Sequence, residues 1–357
     1  MKRYEFRFAS GCLLAILLPA ILLPAHPVAA QPPAKRVVRD GAMAGENLVL
    51  AKELRAYEDG FIRDGDVYLC DNGSDLDARR GIATTIVLNQ TEPTPVLATC
   101  ESKAEGVTGS RGSGYSLYLD IRFTDGESLW GQTASFPVGT SDWRSQRVLV
   151  VPEKPIASIA YYMLLRGHGG KAWFRNPQLY ELKSAGPIVR FDHVAVEQSG
   201  DSAEGFLVRD AAADSDFVPL ADRAALGLKL DVTASQEEET TFFDVELSDT
   251  TGQDRAITLV YCMPVSRTDL RWLRDPRRQE VVASPREYCE TLHRPSVGAN
   301  GQLSQYPLGA VSNDTAGTAL GIDMRRPAFF RIGYNAGSQE LYIAYDLGLT
   351  REKPSAR

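Results

Sequence analysis

Tyr118, Asp120 and Arg122 stand at alternate positions of one short segment. If that segment is extended, side chains two apart share a face. The face then carries an aromatic ring, a hydrogen-bond acceptor and a forked cationic donor in a row. That set suits a sugar, whose C–H faces stack on rings and whose hydroxyls bond to planar polar groups. Trp130 and Gln132 follow after a turn, again two apart, and share one face if their segment is extended too. The competing reading is an ordinary solvent face with one tyrosine. Trp143 and Trp173 read equally well as core packing or as platforms. Tyr161-Tyr162 must straddle a strand with one ring per face, and the residues do not say which ring is outside.

Covalent chemistry has little to work with. No HExxH, CxxC or GxSxG is present. Beyond the first thirty residues the histidines are His168, His193 and His293, widely spaced in the chain. His168 sits in Arg166-Gly167-His168-Gly169-Gly170, which is first of all a turn. Paired carboxylates could hydrolyse a glycosidic bond only at a defined separation, which spacing in sequence does not supply. No catalytic residue is therefore named. Asp210, Asp214 and Asp216 are the densest acidic group; they form a solvated loop unless they converge on calcium.

The segments that must position these residues read as strands. Tyr115, Leu117, Leu119, Ile121 and Phe123 alternate with Ser116, Tyr118, Asp120, Arg122 and Thr124. Leu226 to Val232, Phe243 to Leu247 and Leu341 to Leu347 alternate in the same way, each with one apolar and one polar face. Asp125-Gly126 signals a hairpin, and Asp249-Thr250-Thr251-Gly252 a turn. Helical periodicity is confined to weak stretches at Val49–Tyr57 and Arg286–Leu292. The fold class expected is all-β: two consecutive antiparallel β-sandwich or jelly-roll domains after a cleaved signal peptide.

Residues 1–30 read as that signal, with Lys2, Arg3 and Arg7 before an apolar run and Val28-Ala29-Ala30 as the cleavage site. The run is short and broken by Pro19 and Pro24, so no membrane span is expected after cleavage, and the product is secreted, periplasmic or on the cell surface. Residues 31–45 read as a linker, 46–183 and 187–350 as the two domains, and 351–357 as a charged tail. Loss of the leader moves the net charge from −7 to about −9. An acidic chain without a basic cluster is a poor partner for nucleic acid. Cys70, Cys100, Cys262 and Cys289 permit two bridges in an exported chain, with free buried thiols as the alternative.

The first domain resembles the jelly-roll, galactose-binding-like carbohydrate-binding modules of secreted bacterial polysaccharide-degrading enzymes. The residues that carry the likeness are Ala83–Gln90, Tyr115-Ser116-Leu117-Tyr118-Leu119-Asp120, Leu129-Trp130-Gly131-Gln132, Gly139–Trp143 and the closing Trp173-Phe174-Arg175-Asn176-Pro177-Gln178-Leu179-Tyr180-Glu181-Leu182. It covers about residues 46–182. It implies a polysaccharide or glycan partner. It also implies a structural calcium held by a carboxylate near the start of the domain and an Asp in the closing strand. Arg175 stands where that Asp is expected; Glu46, Glu58 and Asp59 are left as the candidate calcium ligands, and no other cofactor is implied. The second domain resembles the non-catalytic β-sandwich that precedes the catalytic barrel in large secreted glycoside hydrolases, through Tyr306–Val311, Pro327–Asn335 and Tyr345–Leu349. The chain stops at Arg357, where a barrel would begin. The expectation is a non-catalytic carbohydrate-binding protein or an N-terminal accessory fragment of a hydrolase. The alternative is a structural or adhesive surface protein whose sandwiches are spacers or protein-binding platforms.

Overall fold

Alternating apolar and polar residues build long antiparallel strands in a computed structural model of the chain, which describes residues 31–39, 45–183, 186–198, 200–219, 226–294 and 297–357. The expected leader, residues 1–30, lies outside the described residues. The chain divides into two units, Arg39–Ala185 and a second made of 186–357 with the described part of 1–38. Among the described residues no helix is long and apolar enough to cross a membrane, and helical structure is short, chiefly the 3-10 turn Ala51–Glu53. Of the weak helical stretches, Val49–Tyr57 keeps only that turn and Arg286–Leu292 keeps no helix. Arg55–Glu58 and Glu287–Cys289 are strands, because pairing with neighbours outweighs a faint local preference.

The strands in chain order begin with β1 (Lys35–Val37). Then follow β2 (Arg55–Glu58), β3 (Ile62–Asp64), β4 (Val67–Gly73), β5 (Arg79–Val87), β6 (Val96–Val107), β7 (Tyr115–Phe123), β8 (Ser128–Ser135), β9 (Gly139–Val150), β10 (Ile156–Arg166) and β11 (Gly170–Glu181). The first unit is two five-stranded sheets, β2-β5-β10-β7-β8 and β3-β4-β11-β6-β9. Their inner faces meet in one core. Leu117, Leu119 and Ile121 come from β7, Tyr161 and Met163 from β10, and Cys70, Ala98, Cys100 and Phe174 from the other sheet. Hydrogen bonds cross between the layers, from Tyr161 Oη to Thr99 O at 2.7 Å and between Ser102 Oγ and Tyr115 Oη at 2.7 Å. These satisfy hydroxyls that burial would otherwise leave unpaired.

The second unit continues with β12 (Ile188–Phe191), β13 (Val194–Gln198), β14 (Gly205–Asp210), β15 (Val218–Pro219), β16 (Leu228–Glu237), β17 (Thr240–Asp249) and β18 (Arg255–Pro264). It is completed by β19 (Arg271–Asp275), β20 (Arg278–Val281), β21 (Glu287–Cys289), β22 (Thr291–His293), β23 (Gln302–Ser304), β24 (Leu308–Ser312), β25 (Gly317–Gly321), β26 (Phe329–Asn335), β27 (Glu340–Leu349) and β28 (Ser355–Ala356). Its centre is the six-stranded sheet β15-β14-β18-β27-β26-β21. One face packs on the small sheet β1-β13-β12 through Val37, Phe191, Val196, Val260 and Tyr342. The other face is covered partly by Trp272 and Val311 from β19 and β24, and partly by Leu230 and Leu247 from the β16–β17 hairpin.

Three expectations change here. Lys35–Val37, read as linker, is a strand paired with β13, and Lys35 Nζ forms a fully buried ion pair with Glu340 Oε2 at 2.7 Å. Within the tail, Ser355–Ala356 pairs with β17. The polar face of β27 is not a solvent face either. Glu340 and Tyr342 are fully buried because the small sheet covers them.

That covered layer holds a charge cluster. Arg331 on β26 is fully buried and donates to Asp192 Oδ2 at 2.9 Å and to Asp346 Oδ1 at 2.7 Å. Burial works to raise the Asp346 carboxyl, and the Arg331 guanidinium more than offsets this, so it lies below the usual carboxylate range. Its stabilising contribution is complete above the unfolded value of about 3.9 and is lost as pH falls through the lower folded value. Unfolding of this unit followed by tryptophan fluorescence is expected to need progressively less denaturant below about pH 4. Asp346→Asn should flatten that part of the pH profile.

The four described cysteines are free thiols. Cys70 and Cys100 lie on β4 and β6 with β11 between them, and Cys262 and Cys289 on β18 and β21 with two strands between them. Strands two places apart separate Cα atoms by roughly 9–10 Å, beyond the roughly 4.4–6.8 Å that a disulfide spans. Burial pushes the Cys70 and Cys262 thiols up to about 12. They act as small apolar core residues.

Candidate functional site

The outer face of β2-β5-β10-β7-β8 gathers the ring-bearing residues. On β7 the odd positions are buried, Tyr118 and Asp120 are half-buried, and Arg122 is exposed. The alternation thus sets the expected trio on the outside. β10 runs beside β7 with Tyr162 directly opposite Tyr118, and these rings meet edge to face at 5.9 Å. Tyr162 is the outer ring of the Tyr161-Tyr162 pair, since Tyr161 is fully buried. On β2 at the sheet edge, Tyr57 meets Tyr162 at 5.7 Å, again edge to face. Three tyrosines therefore form a stripe across the sheet.

Guanidinium groups flank the stripe. Arg166 lies 5.2 Å from the Tyr118 ring centroid and donates to Tyr57 Oη at 3.3 Å. Arg79 donates to the same oxygen at 3.1 Å. Burial and then Asp120 raise the Tyr118 hydroxyl above its ordinary range, so it remains a neutral donor. The combination offers apolar ring surface with fixed polar partners around it.

Trp130 and Gln132 separate. Gly131 has φ +72°, and β8 carries one extra residue where Trp130 and Gly131 stand against Asp120 alone. Such a bulge shifts the phase of the strand by one residue. Asp120 Oδ1 holds it by accepting from Gly131 N at 3.0 Å. Trp130 is 66% exposed. Gln132 is paired with the core-facing Leu119, and its amide donates back to Trp130 O at 3.1 Å. A side chain at 131 needs φ > 0, so glycine is what permits the bulge.

Trp143 and Trp173 belong to the other sheet and are half-buried. Arg175 lies 3.9 Å over Trp143, and Lys103 5.6 Å over Trp173. Arg175 also pairs with Glu101 at 2.6 Å. Two of the three expected calcium ligands have other engagements. Glu58 pairs with Arg79 at 2.6 Å, Asp59 accepts from Arg79 N at 2.7 Å, and Glu46 is exposed. Asp210, Asp214 and Asp216 also diverge, to Arg255, Arg209 and the Val37 N–H respectively. His168 is buried among glycines with Nδ1 against Thr108 O.

Sequence reasoning missed Tyr57, Arg79 and Arg166, and left Tyr162 undecided. The signal for Tyr162 was its parity with Arg166, both even in a strand whose odd positions 159–165 are apolar. Tyr57 was hidden by the helical reading of its segment.

A second cluster was also missed. Among the described residues, His193, Glu287 and Cys289 form the one group of three donor atoms that lie within 4.8 Å of one another. Asp192 and His193 are the two residues of the tight β12–β13 turn, at φ +51° and +61°. Left-handed positions on both residues give the mirror-image turn that suits a twisted hairpin. Glu287 and Cys289 share one face of β21, with Tyr288 buried on the other. Cys289 Sγ is 3.7 Å from His193 Nε2, and Glu287 Oε2 is 3.5 Å from Nδ1. Tyr342 Oη donates to Glu287 Oε1 at 2.7 Å. It reaches across Gly333, where a Cβ would sit 2.5 Å from that hydroxyl. Burial, then Glu287, pushes the Cys289 thiol up to about 12, which makes it a weak nucleophile on its own.

No family model matches the chain. A stretch of 101 residues, 27% of the chain, is 32% identical to tRNA nuclease WapA of Bacillus subtilis (strain 168) and to tRNA3(Ser)-specific nuclease WapA of Bacillus spizizenii. It spans 4% of the length of those curated relatives. A solved family 16 carbohydrate-binding module is 11% identical, with 36% of this chain and 86% of that one covered and a TM-score of 0.25. The CBM22-1 xylan-binding domain of Paenibacillus barcinonensis Xyn10C is 14% identical, with 40% and 99% covered and a TM-score of 0.26. Scores of this size carry no inference about ligand. The chain is a multi-sheet, all-β protein with low-identity similarity to jelly-roll and carbohydrate-binding modules.

Proposed function

We propose that the chain is a secreted, non-catalytic carbohydrate-binding protein whose first unit grips a polysaccharide on the outer face of β2-β5-β10-β7-β8. One observation carries the reading: Tyr57, Tyr162 and Tyr118 share a solvent-facing sheet surface, flanked by Arg79 and Arg166, with Asp120, Arg122 and Trp130 alongside. Each ring offers a C–H stacking surface, and the guanidiniums and the carboxylate offer bonds to hydroxyls. Neighbouring rings stand edge to face, at 81° and 69°, so they cannot make one flat platform. The surface suits an individual glycan chain better than a crystalline array. An accessory role beside a hydrolase fits the same surface.

The test is affinity electrophoresis of the protein through gels containing single soluble polysaccharides. Retardation by at least one glycan is expected. Tyr118→Ala should weaken it by about 1 kcal/mol, close to fivefold, with thermal stability held. No retardation on any glycan would favour the spacer or adhesive reading. Retardation that ignores Tyr118, Tyr162 and Trp130 together would place the site elsewhere.

A further inference from the structure

We propose that His193, Glu287 and Cys289 bind one divalent transition-metal ion of the zinc class, leaving one coordination position to water. The donor set is thiolate, imidazole and carboxylate, which zinc-class ions accept and hard oxygen-seeking cations such as calcium do not. The geometry is close to what such an ion needs. A tetrahedral ion with bonds of about 2.0–2.3 Å holds its donors about 3.5 Å apart. Cys289 Sγ and His193 Nε2 are 3.7 Å apart, and one donor atom from each residue fits within 4.8 Å of the others. Glu287 Oε2 stands 3.5 Å from Nδ1 while Cys289 stands by Nε2, so the imidazole or the carboxylate must rotate for all three to meet one ion.

The surroundings already orient the donors. Tyr342 Oη and the His193 N–H both donate to Glu287. Arg331 clamps the neighbouring Asp192, so the turn is held independently of any ion. Fixed outer partners of this kind tune metal ligands. The His193 side chain is 20% exposed, which leaves a route inward. The ion would tie the β12–β13 hairpin to edge strand β21, two segments far apart in sequence, and so favour the folded chain. On binding, the Cys289 thiol releases its proton to solvent and the ion takes the thiolate. Affinity therefore rises with pH.

The test titrates the freshly reduced full chain with Co²⁺ and then Zn²⁺. One equivalent of Co²⁺ should produce a near-ultraviolet thiolate-to-cobalt band that Zn²⁺ abolishes. The wild-type chain should also withdraw one equivalent of Zn²⁺ from a chromophoric chelator, and excess Ca²⁺ should not prevent it. Cys289→Ser should remove the band, and His193→Ala should weaken Zn²⁺ binding tenfold or more. A band that persists in folded Cys289→Ser overturns the proposal. So does the absence of stoichiometric binding at micromolar ion. If a variant fails to fold, the wild-type chelator competition decides, because a chain that withdraws no Zn²⁺ excludes the site.

Discussion

Arg331→Met is expected to destabilise the second unit by about 3–5 kcal/mol, the typical cost of removing one partner from a buried ion cluster. Arg331 is fully buried between Asp192 and Asp346 and bonds to both. Its loss leaves two carboxylates facing each other beneath the small sheet without a cation. Much of the penalty is therefore desolvated charge and not the worth of the pair itself. The triple replacement Arg331→Met, Asp192→Asn, Asp346→Asn should recover a large part of it. Equilibrium urea denaturation of the two variants separates these terms. A loss below about 1 kcal/mol in Arg331→Met would mean that water reaches the cluster and that the small sheet does not seal it.

Leu119→Asp is expected to unfold the first unit. Leu119 is fully buried on β7. Truncating a buried leucine costs about 2–5 kcal/mol, and an unpaired carboxylate in the core adds several more. Together these match the whole stability of an ordinary domain, about 5–15 kcal/mol. Tyr118→Ala, one residue away, should leave the fold intact because its ring stands on the outer face. Circular dichroism melting of the two proteins checks the contrast. If Tyr118→Ala collapses and Leu119→Asp folds, the inner and outer faces of β7 have been exchanged.

Much of the architecture could be read from local pattern. Tyr115 to Phe123 alternates with period two, and a strand has no other way to hide five apolar side chains than to turn them all one way. The outward Tyr118, Asp120 and Arg122 follow directly. The Asp249–Gly252 turn was equally legible, because a short carboxylate reaches the next few backbone N–H groups, here those of Thr251, Gly252 and Gln253. Lys35 shows where local pattern fails. A lysine between Pro/Ala-rich residues looks solvated, and only a glutamate 305 positions later explains its burial.

Gln132 fails for another reason. A single bulge at Gly131 reverses the phase that alternation assumes, and pairing against Asp120 is what creates the bulge. The sequence by itself therefore determined the strand class, the inner face of strands such as β7 and the local turns, since these depend on neighbours a few residues apart. Only the tertiary structure decided that β27 is covered on both faces, that Tyr57, Tyr162 and Tyr118 form one stripe, and that His193 meets Cys289. Strand order and layer packing join residues tens to hundreds of positions apart, and no periodicity along the chain encodes which strand will lie beside which.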